Sequence, residues 1–159
     1  MEPIRVVWGT GRAATEMAAY DAALAAAGIE NYNLVAVSSV IPDGATVEET
    51  GTAPDLGPVG NRLTVVQAHE TVPVGDRDPA CAGLAWATTD SGRGLFYEAS
   101  GRDESTVRGA VTEGITSGRS LRDWTFTDQT HRLAVADPDA EAYTSAVAVA
   151  VYGESEPIL

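Results

Sequence analysis

Two adjacent serines, Ser38 and Ser39, stand at the end of an apolar segment and shortly before Pro42. The simplest interpretation is a polar exit from a strand. A second interpretation is a strained peptide bond at which the Ser39 hydroxyl attacks the carbonyl of Ser38 and converts the amide into an ester. β-Elimination would then leave a dehydroalanine, which hydrolyses to a pyruvoyl group at a new chain terminus. Such a ketone is an electron sink of the kind that pyridoxal phosphate provides.

All ten basic residues of the 159-residue chain are arginines, because the sequence contains no lysine. This composition excludes a lysine Schiff base to pyridoxal phosphate, a lysine nucleophile and a Walker-A lysine. The 23 Asp and Glu residues give a net charge of −13. Nucleic acids and anionic membranes attract positively charged proteins, so neither is expected as a partner of this acidic chain.

Other potentially functional residues give weaker signals. Gly9-Thr10-Gly11 follows a predicted strand and precedes a predicted helix, which predicts a structural turn and leaves a nucleotide-binding turn as the alternative. His69 and His131 have no cysteine or histidine at metal-ligand spacing, so no metal site is predicted. Cys81, the single cysteine, is expected to be a buried small hydrophobe.

The hydrophobic pattern predicts one helix early in the chain, one helix late, and strands elsewhere. The helices are expected at 13–27 and 103–116, with Met17 among the apolar positions of the first and Gly118 ending the second. Strands are expected at 4–8, 33–40, 63–69, 83–88, 95–99, 124–126, 132–136 and 145–152, with loop at 43–60, a turn at 90–94 and a frayed tail from residue 154. The uncharged final strand is expected to be buried on both faces. This order indicates an α+β sandwich.

The length fits a single domain over 1–159. No signal peptide or membrane-spanning segment is predicted, and we therefore expect a cytoplasmic protein. The acidity, together with the absence of lysine and the abundance of alanine, suggests a high-salt cytoplasm.

Several segments together resemble the pyruvoyl-dependent arginine decarboxylase family. The resemblance begins in the segment from Asp21 to Ile29 and continues through Asn33-Leu34-Val35 and Val37-Ser38-Ser39-Val40-Ile41-Pro42. It extends to Gly94-Leu95-Phe96-Tyr97-Glu98, Arg122-Asp123-Trp124 and the closing Ala/Val strand. The match covers residues 15–152, which is most of the chain.

The resemblance implies a self-cleaving proenzyme. Ser39 would become the covalent pyruvoyl cofactor, and Ser38 would become the last residue of a β chain formed by residues 1–38. Residues 39–159 would form the α chain. Asn33 matches the asparagine that assists cleavage and lines the site.

The resemblance also implies how an amino-acid substrate is held. Glu98 matches the acid that protonates the substrate carbon after carbon dioxide leaves, and its apolar neighbours are expected to desolvate it. Asp21 matches the acidic residue that receives the guanidinium group of arginine, a pairing suited to bidentate hydrogen bonds. Leu24 and Val40 match apolar positions lining the pocket.

The family relationship therefore predicts an αββα sandwich of two mainly antiparallel sheets covered by helices. It implies a trimer or a pair of trimers with active sites between subunits, and the conversion of L-arginine to agmatine and carbon dioxide. Two alternatives share this fold. One uses the same cofactor on another amino acid, such as histidine or aspartate, and the other is an uncleaved oligomeric binding protein.

Overall fold

The computed structural model describes residues 1–159 as two helices and nine strands. In chain order these are β1 (Ile4–Ala13), α1 (Glu16–Ala27), β2 (Asn33–Ala36), β3 (Val40–Ile41), β4 (Val47–Gly51), β5 (Arg62–Val72), β6 (Ala80–Thr89), β7 (Gly94–Gly101), α2 (Glu104–Ser120), β8 (Phe126–Ala136) and β9 (Tyr143–Tyr152). No helix is long and apolar enough to cross a membrane.

The strands form two sheets. The five-stranded sheet has the order β2-β5-β9-β1-β4, and the four-stranded sheet has the order β3-β7-β6-β8. The pairs β1–β4 and β2–β5 are parallel, and the remaining pairs are antiparallel. Helix α1 packs on the five-stranded sheet and α2 on the four-stranded sheet. The predicted α+β, four-layer αββα sandwich is therefore confirmed.

Strand β9 explains how the layers are held together. Its alanines, Ala146, Ala148 and Ala150, belong to the core between the two sheets. Its valines, Val147, Val149 and Val151, belong to the core beneath α1. Because successive side chains of a strand point to opposite faces, one segment contributes to both cores. The expectation of burial on both faces is confirmed.

The glycines of the N-terminal segment have a packing role rather than a turn or phosphate-binding role. Gly9 and Gly11 lie inside β1, opposite Val147 and Ser145 of β9. A Cβ atom at Gly9 would lie 2.5 Å from the carbonyl oxygen of Ala23 in α1. Glycine therefore lets the helix approach the strand closely. The predicted turn at residues 9–11 is wrong, and this segment lacks the loop geometry that the nucleotide-binding alternative requires.

Several predicted elements have different boundaries in the structure. The predicted loop at 43–60 contains β4, and the predicted strand at 33–40 divides into β2 and β3. The two short strands expected at 124–126 and 132–136 are replaced by the single strand β8. Helix α2 continues through Gly118 to Ser120, and Met17 of α1 is 71% exposed. In the tail, Glu156 forms a β-bridge with Arg62.

Candidate active site

The chain passes from one sheet to the other at the serine pair. Strand β2 ends at Ala36 in the five-stranded sheet, and β3 begins at Val40 in the four-stranded sheet. Val37, Ser38 and Ser39 form the short connection between them. The Ser38–Ser39 peptide, at which the sequence suggests self-cleavage, therefore lies where the backbone crosses from one sheet to the other.

Both sides of this connection are anchored by backbone hydrogen bonds. The N–H of Val37 donates to the carbonyl of Val65 in β5 at 3.0 Å. The N–H of Phe96 in β7 donates to the carbonyl of Ser39 at 2.8 Å. Between these anchors Ser39 has φ 73°, and it is the one non-glycine residue with positive φ in the chain. This left-handed conformation costs a non-glycine residue about 1–2 kcal/mol, so the neighbouring contacts must hold it in place.

The Ser39 side chain meets one of the carboxylates predicted from the sequence. Its hydroxyl donates to Oε2 of Glu98 at 3.2 Å, across 59 residues of sequence. Glu98 lies in β7, opposite Leu84 of β6. Its side chain is exposed, so the desolvation expected from its apolar sequence neighbours is not present within one chain. Glu98 lies two residues from Phe96 and therefore on the same face of β7, the face turned toward the other sheet, so alternation alone does not account for its exposure.

A cavity of about 430 Å³ opens beside the serine pair, between β7 and the C-terminal half of α2. Its lining combines the two serines, one strand and one helix end: Ser38, Ser39, Leu95, Phe96, Tyr97, Glu98, Gly114, Ile115, Ser117, Gly118, Leu121 and Arg122. Glycine in α2 leaves space for this cavity. A Cβ atom at Gly118 would lie only 2.9 Å from the Leu95 side chain, which is closer than normal packing allows.

Arg122 is the one cationic residue that lines this cavity. Its Nη1 donates to the Gly118 carbonyl at 2.9 Å, and its guanidinium lies 5.6 Å from the centroid of the Trp124 ring. Arg93 lies over the same ring at 5.0 Å. These contacts order the chain after α2. The sequence suggested no individual role for Arg122, although the Arg122-Asp123-Trp124 motif already marked this segment.

Three other predicted site residues lie apart from the cavity in a single chain. Asp21 is an exposed residue of α1, and Leu24 is buried in the core beneath that helix. The Asn33 side chain donates to the carbonyl of Gly60 at 2.7 Å. Asn33 begins β2, five positions before Ser38, and does not line the cavity. The chain brings together Ser38, Ser39 and Glu98, and places these three residues elsewhere.

Val40 stands immediately after the serine pair and is 48% exposed. It pairs with Leu95 of β7, and its carbonyl accepts a hydrogen bond from the Tyr152 hydroxyl at 2.9 Å. From the sequence, Tyr152 is expected at the end of the last strand and has no predicted role in the site, because this contact spans 112 residues.

The residues present suit a pyruvoyl group made from the backbone. Such a group needs a serine with its hydroxyl free to turn toward the preceding carbonyl, at a peptide outside the regular hydrogen-bonded ladders. Ser39 has that side chain, lies between β2 and β3, and is held in a strained conformation. Without lysine in the chain, a pyridoxal phosphate imine to the protein is not available.

Comparison with known proteins agrees with the geometry. The family model for pyruvoyl-dependent arginine decarboxylase matches residues 3–157. A pyruvoyl-dependent arginine decarboxylase of Halobacterium salinarum is 52% identical, with 99% of this chain and 98% of that protein covered. One of Methanopyrus kandleri is 31% identical, with coverage of 92% and 93%, and one of Pyrococcus abyssi is 37% identical, with 69% of each chain covered. This chain therefore belongs to the pyruvoyl-dependent arginine decarboxylase family.

Proposed function

We propose that this chain cleaves itself between Ser38 and Ser39 and then converts L-arginine to agmatine and carbon dioxide. The observation that carries the proposal is the strained Ser39, which lies at the crossing between the sheets with its hydroxyl on the Glu98 carboxylate. Family membership supports the same reaction. The products of cleavage would be a β chain of residues 1–38 and an α chain of residues 39–159.

Cleavage begins with the Ser39 hydroxyl oxygen attacking the Ser38 carbonyl carbon. The C–N bond breaks, the acyl group moves to oxygen, and the hydroxyl proton ends on the released amine. Removal of the Ser39 α-proton then expels the Ser38 carboxylate as the new C-terminus. The resulting dehydroalanine is hydrolysed, so the sequence consumes one water and releases one ammonia. The strain at Ser39 is relieved by this route, which favours it over an unstrained peptide.

In the mature enzyme, the pyruvoyl ketone would accept the electrons released when carbon dioxide leaves the substrate. Glu98 is the residue of this chain best placed to return a proton to the α-carbon, because its carboxyl group lies at the Ser39 side chain. The cavity beside these residues would receive the substrate, with Leu95 as an apolar wall and Val40 paired with Leu95 outside the lining.

We assign the guanidinium of arginine to Asp21 of a neighbouring copy of the chain. Asp21 is exposed and does not line the cavity that contains Ser39. Strands β2 and β3 are both edge strands, and Val35, Val37 and Val40 leave apolar surface exposed beside the serine pair. An edge of this kind favours association with another protein surface. The proposed trimer or pair of trimers would bring Asp21 and Asn33 of one copy toward Ser39 of the next, whereas Leu24 is buried in the core beneath α1.

Denaturing mass spectrometry of the purified protein tests the proposed cleavage. We expect two chains, with the α chain lighter than one beginning with serine by the mass of ammonia. Ser39→Ala should remain intact, because it has no attacking hydroxyl. An intact wild-type chain would rule out the pyruvoyl mechanism and favour the uncleaved binding protein. A panel of arginine, histidine and aspartate, assayed for released carbon dioxide, then separates the substrate alternatives.

Subunit mixing tests the shared site. Ser39→Ala and Asp21→Ala should each be inactive alone. If the two residues act from different copies, co-expressed mixed oligomers contain sites with both residues intact, and activity returns. Purified mixed oligomers without activity would show that Asp21 does not act across subunits.

A further inference from the structure

Tyr152 links the two sheets at the residue that follows the serine pair. It ends β9 in the five-stranded sheet, opposite Ile4 of β1. Its hydroxyl donates to the carbonyl of Val40 in the four-stranded sheet at 2.9 Å. Its ring packs against the core between the sheets, with its centroid 6.1 Å from that of Phe96. Because the ring is packed in this way, the position of the hydroxyl beside the Val40 carbonyl is well defined.

This contact is one of several that hold the chain after the serine pair, where Ile41 is also buried in the core between the sheets. Strand β3 contains only Val40 and Ile41, so its ladder with β7 is short. Phe96 contributes twice, since its N–H holds the Ser39 carbonyl and its ring contacts Tyr152. Residues in left-handed conformations persist where their surroundings fix them. With the Ser39 and Val40 carbonyls both held, the backbone of Ser39 has little freedom to relax.

The chemistry of the phenol suits a positioning role and not that of a base. Burial raises the pKa of Tyr152 well above its ordinary value, and the negative charge of Glu98 raises it further. The hydroxyl consequently stays protonated near neutral pH and continues to donate to Val40. A group that stays protonated does not remove the Ser39 hydroxyl proton.

We propose that Tyr152 is a positioning residue for self-cleavage, which holds the Val40 carbonyl and thereby keeps Ser39 in the strained conformation that attacks Ser38. This inference rests on the proposed function and adds a residue that acts through the backbone of its target. It places the action of Tyr152 before ester formation.

The test compares Tyr152→Phe with Tyr143→Phe, which removes a hydroxyl from the other end of β9. Cleavage of freshly purified precursor is followed by denaturing mass spectrometry. Loss of one hydrogen bond, worth about 1 kcal/mol, slows a step that depends on it by about fivefold. We expect at least this slowing in Tyr152→Phe and a wild-type rate in Tyr143→Phe.

Hydroxylamine identifies the step that is affected. It cleaves the ester at the Ser38 carbonyl and leaves an α chain that begins with intact Ser39, heavier than the pyruvoyl chain by the mass of ammonia. If Tyr152 acts before the ester forms, total cleavage of Tyr152→Phe stays slow with hydroxylamine present. Recovery of the wild-type rate would place the defect after ester formation and overturn the inference.

Two unnatural residues of similar size at position 152 distinguish the effect of the hydrogen bond from the effect of packing. With p-aminophenylalanine at position 152, an N–H donor returns and cleavage should approach the wild-type rate. With p-methylphenylalanine, the volume returns without a donor and cleavage should stay slow. Equal rates in these two variants would overturn the inference. A wild-type chain that never cleaves would overturn the proposed function and this inference with it, whereas a wild-type rate in Tyr152→Phe would overturn this inference alone.

Discussion

Glu98 has two successive tasks in the proposed reaction, and they make different demands on its carboxyl group. In the precursor it accepts a hydrogen bond from the Ser39 hydroxyl at 3.2 Å, which requires only an acceptor oxygen. In the mature enzyme it must deliver a proton to carbon, which requires an acid. A substitution that retains the acceptor and removes the acid therefore separates the two stages.

Glu98→Gln makes this separation, because the glutamine side chain retains an amide oxygen. We expect cleavage to proceed largely as in the wild type and kcat to fall by about 10²–10⁴-fold, the usual contribution of general acid–base catalysis. Cleavage is measured by mass spectrometry and turnover by agmatine formation.

Glu48→Gln is the matched control for this change, since Glu48 is an exposed strand carboxylate of β4 at the opposite edge of the five-stranded sheet. It should leave both cleavage and turnover unchanged. Wild-type turnover in Glu98→Gln would contradict the acid role.

At the scale of elements, the contact between α1 and β1 depends on glycine. A Cβ at Gly9 would meet the Ala23 carbonyl oxygen at 2.5 Å and the Ala27 nitrogen at 3.0 Å, both backbone atoms of the helix. Gly9→Ala must push α1 outward, and we expect a loss of about 1–3 kcal/mol in the free energy of unfolding. The measurement is urea unfolding in the uncleaved Ser39→Ala background.

Gly109→Ala is the control, because a Cβ at Gly109 in α2 would meet nothing within 4 Å. Alanine is the better helix former, so this variant should gain about 0.5–1 kcal/mol. If Gly9→Ala is as stable as the parent protein, the close approach of helix and strand does not require glycine.

Helix α2 begins with a charged cap at Asp103. The carboxylate accepts hydrogen bonds from the hydroxyl and N–H of Thr106, at 2.6 and 2.9 Å, and from the Ser105 hydroxyl at 2.9 Å. These hydrogen bonds hold the pKa of Asp103 below its ordinary value. The stabilisation they give is therefore fully present above the unfolded-state pKa, about 3.9, and is lost as the pH falls through the folded-state pKa.

Asp103→Asn tests the charge of this cap, because asparagine caps helices about as well without ionising. We expect the wild type to have the higher melting temperature by a few degrees between about pH 5 and 8, and this difference to shrink as the pH falls below about 4. Asp103→Ala should be less stable than both at neutral pH. A difference that grows as the pH falls would contradict this assignment.

The elements predicted correctly from the sequence are those in which each side chain is clearly buried or clearly exposed, so that the hydrophobic pattern is regular. The Ala/Val alternation of β9 faces two cores, and the apolar face of α2, with Val107, Val111 and Ile115 buried, packs on one sheet. By contrast, the segment Val-Glu-Glu-Thr-Gly of β4 carries little hydrophobic signal, because it is an edge strand held by pairing with β1. Gly9 resembles a turn residue locally, and only the distant helix shows why it is glycine.

The candidate site was predictable to a similar extent. The serine pair is a local motif, and the family resemblance singled out Glu98, which the structure places at Ser39. The crossing between sheets, the left-handed Ser39 and the contact of Tyr152 all arise from tertiary pairing and have no local signal. Asp21 and Asn33 stay predictions, because their proposed contacts lie outside a single chain.

At the scale of the whole molecule, the negative charge is only partly balanced. Ion pairs link seven arginines to seven of the 23 carboxylates, so 16 carboxylates have no such partner. The paired groups are mostly exposed, and exposed pairs contribute little each. Unpaired like charges on one compact surface repel one another and destabilise the folded state at low ionic strength.

Salt should therefore stabilise this protein. Raising potassium chloride from 0.1 to 1 M shortens the Debye length from about 10 to about 3 Å, which screens most repulsion between separated surface carboxylates. We expect the urea midpoint of the Ser39→Ala precursor to rise across this range, and a midpoint that falls or stays constant would contradict the expectation.

The triple variant Glu48→Gln, Asp90→Asn and Glu113→Gln removes three carboxylates without ion pairs. It should be more stable than its parent at 0.1 M and gain less from added salt, because less repulsion is left to screen. An equal gain in both proteins would show that salt acts through another effect, such as its exclusion from the protein surface.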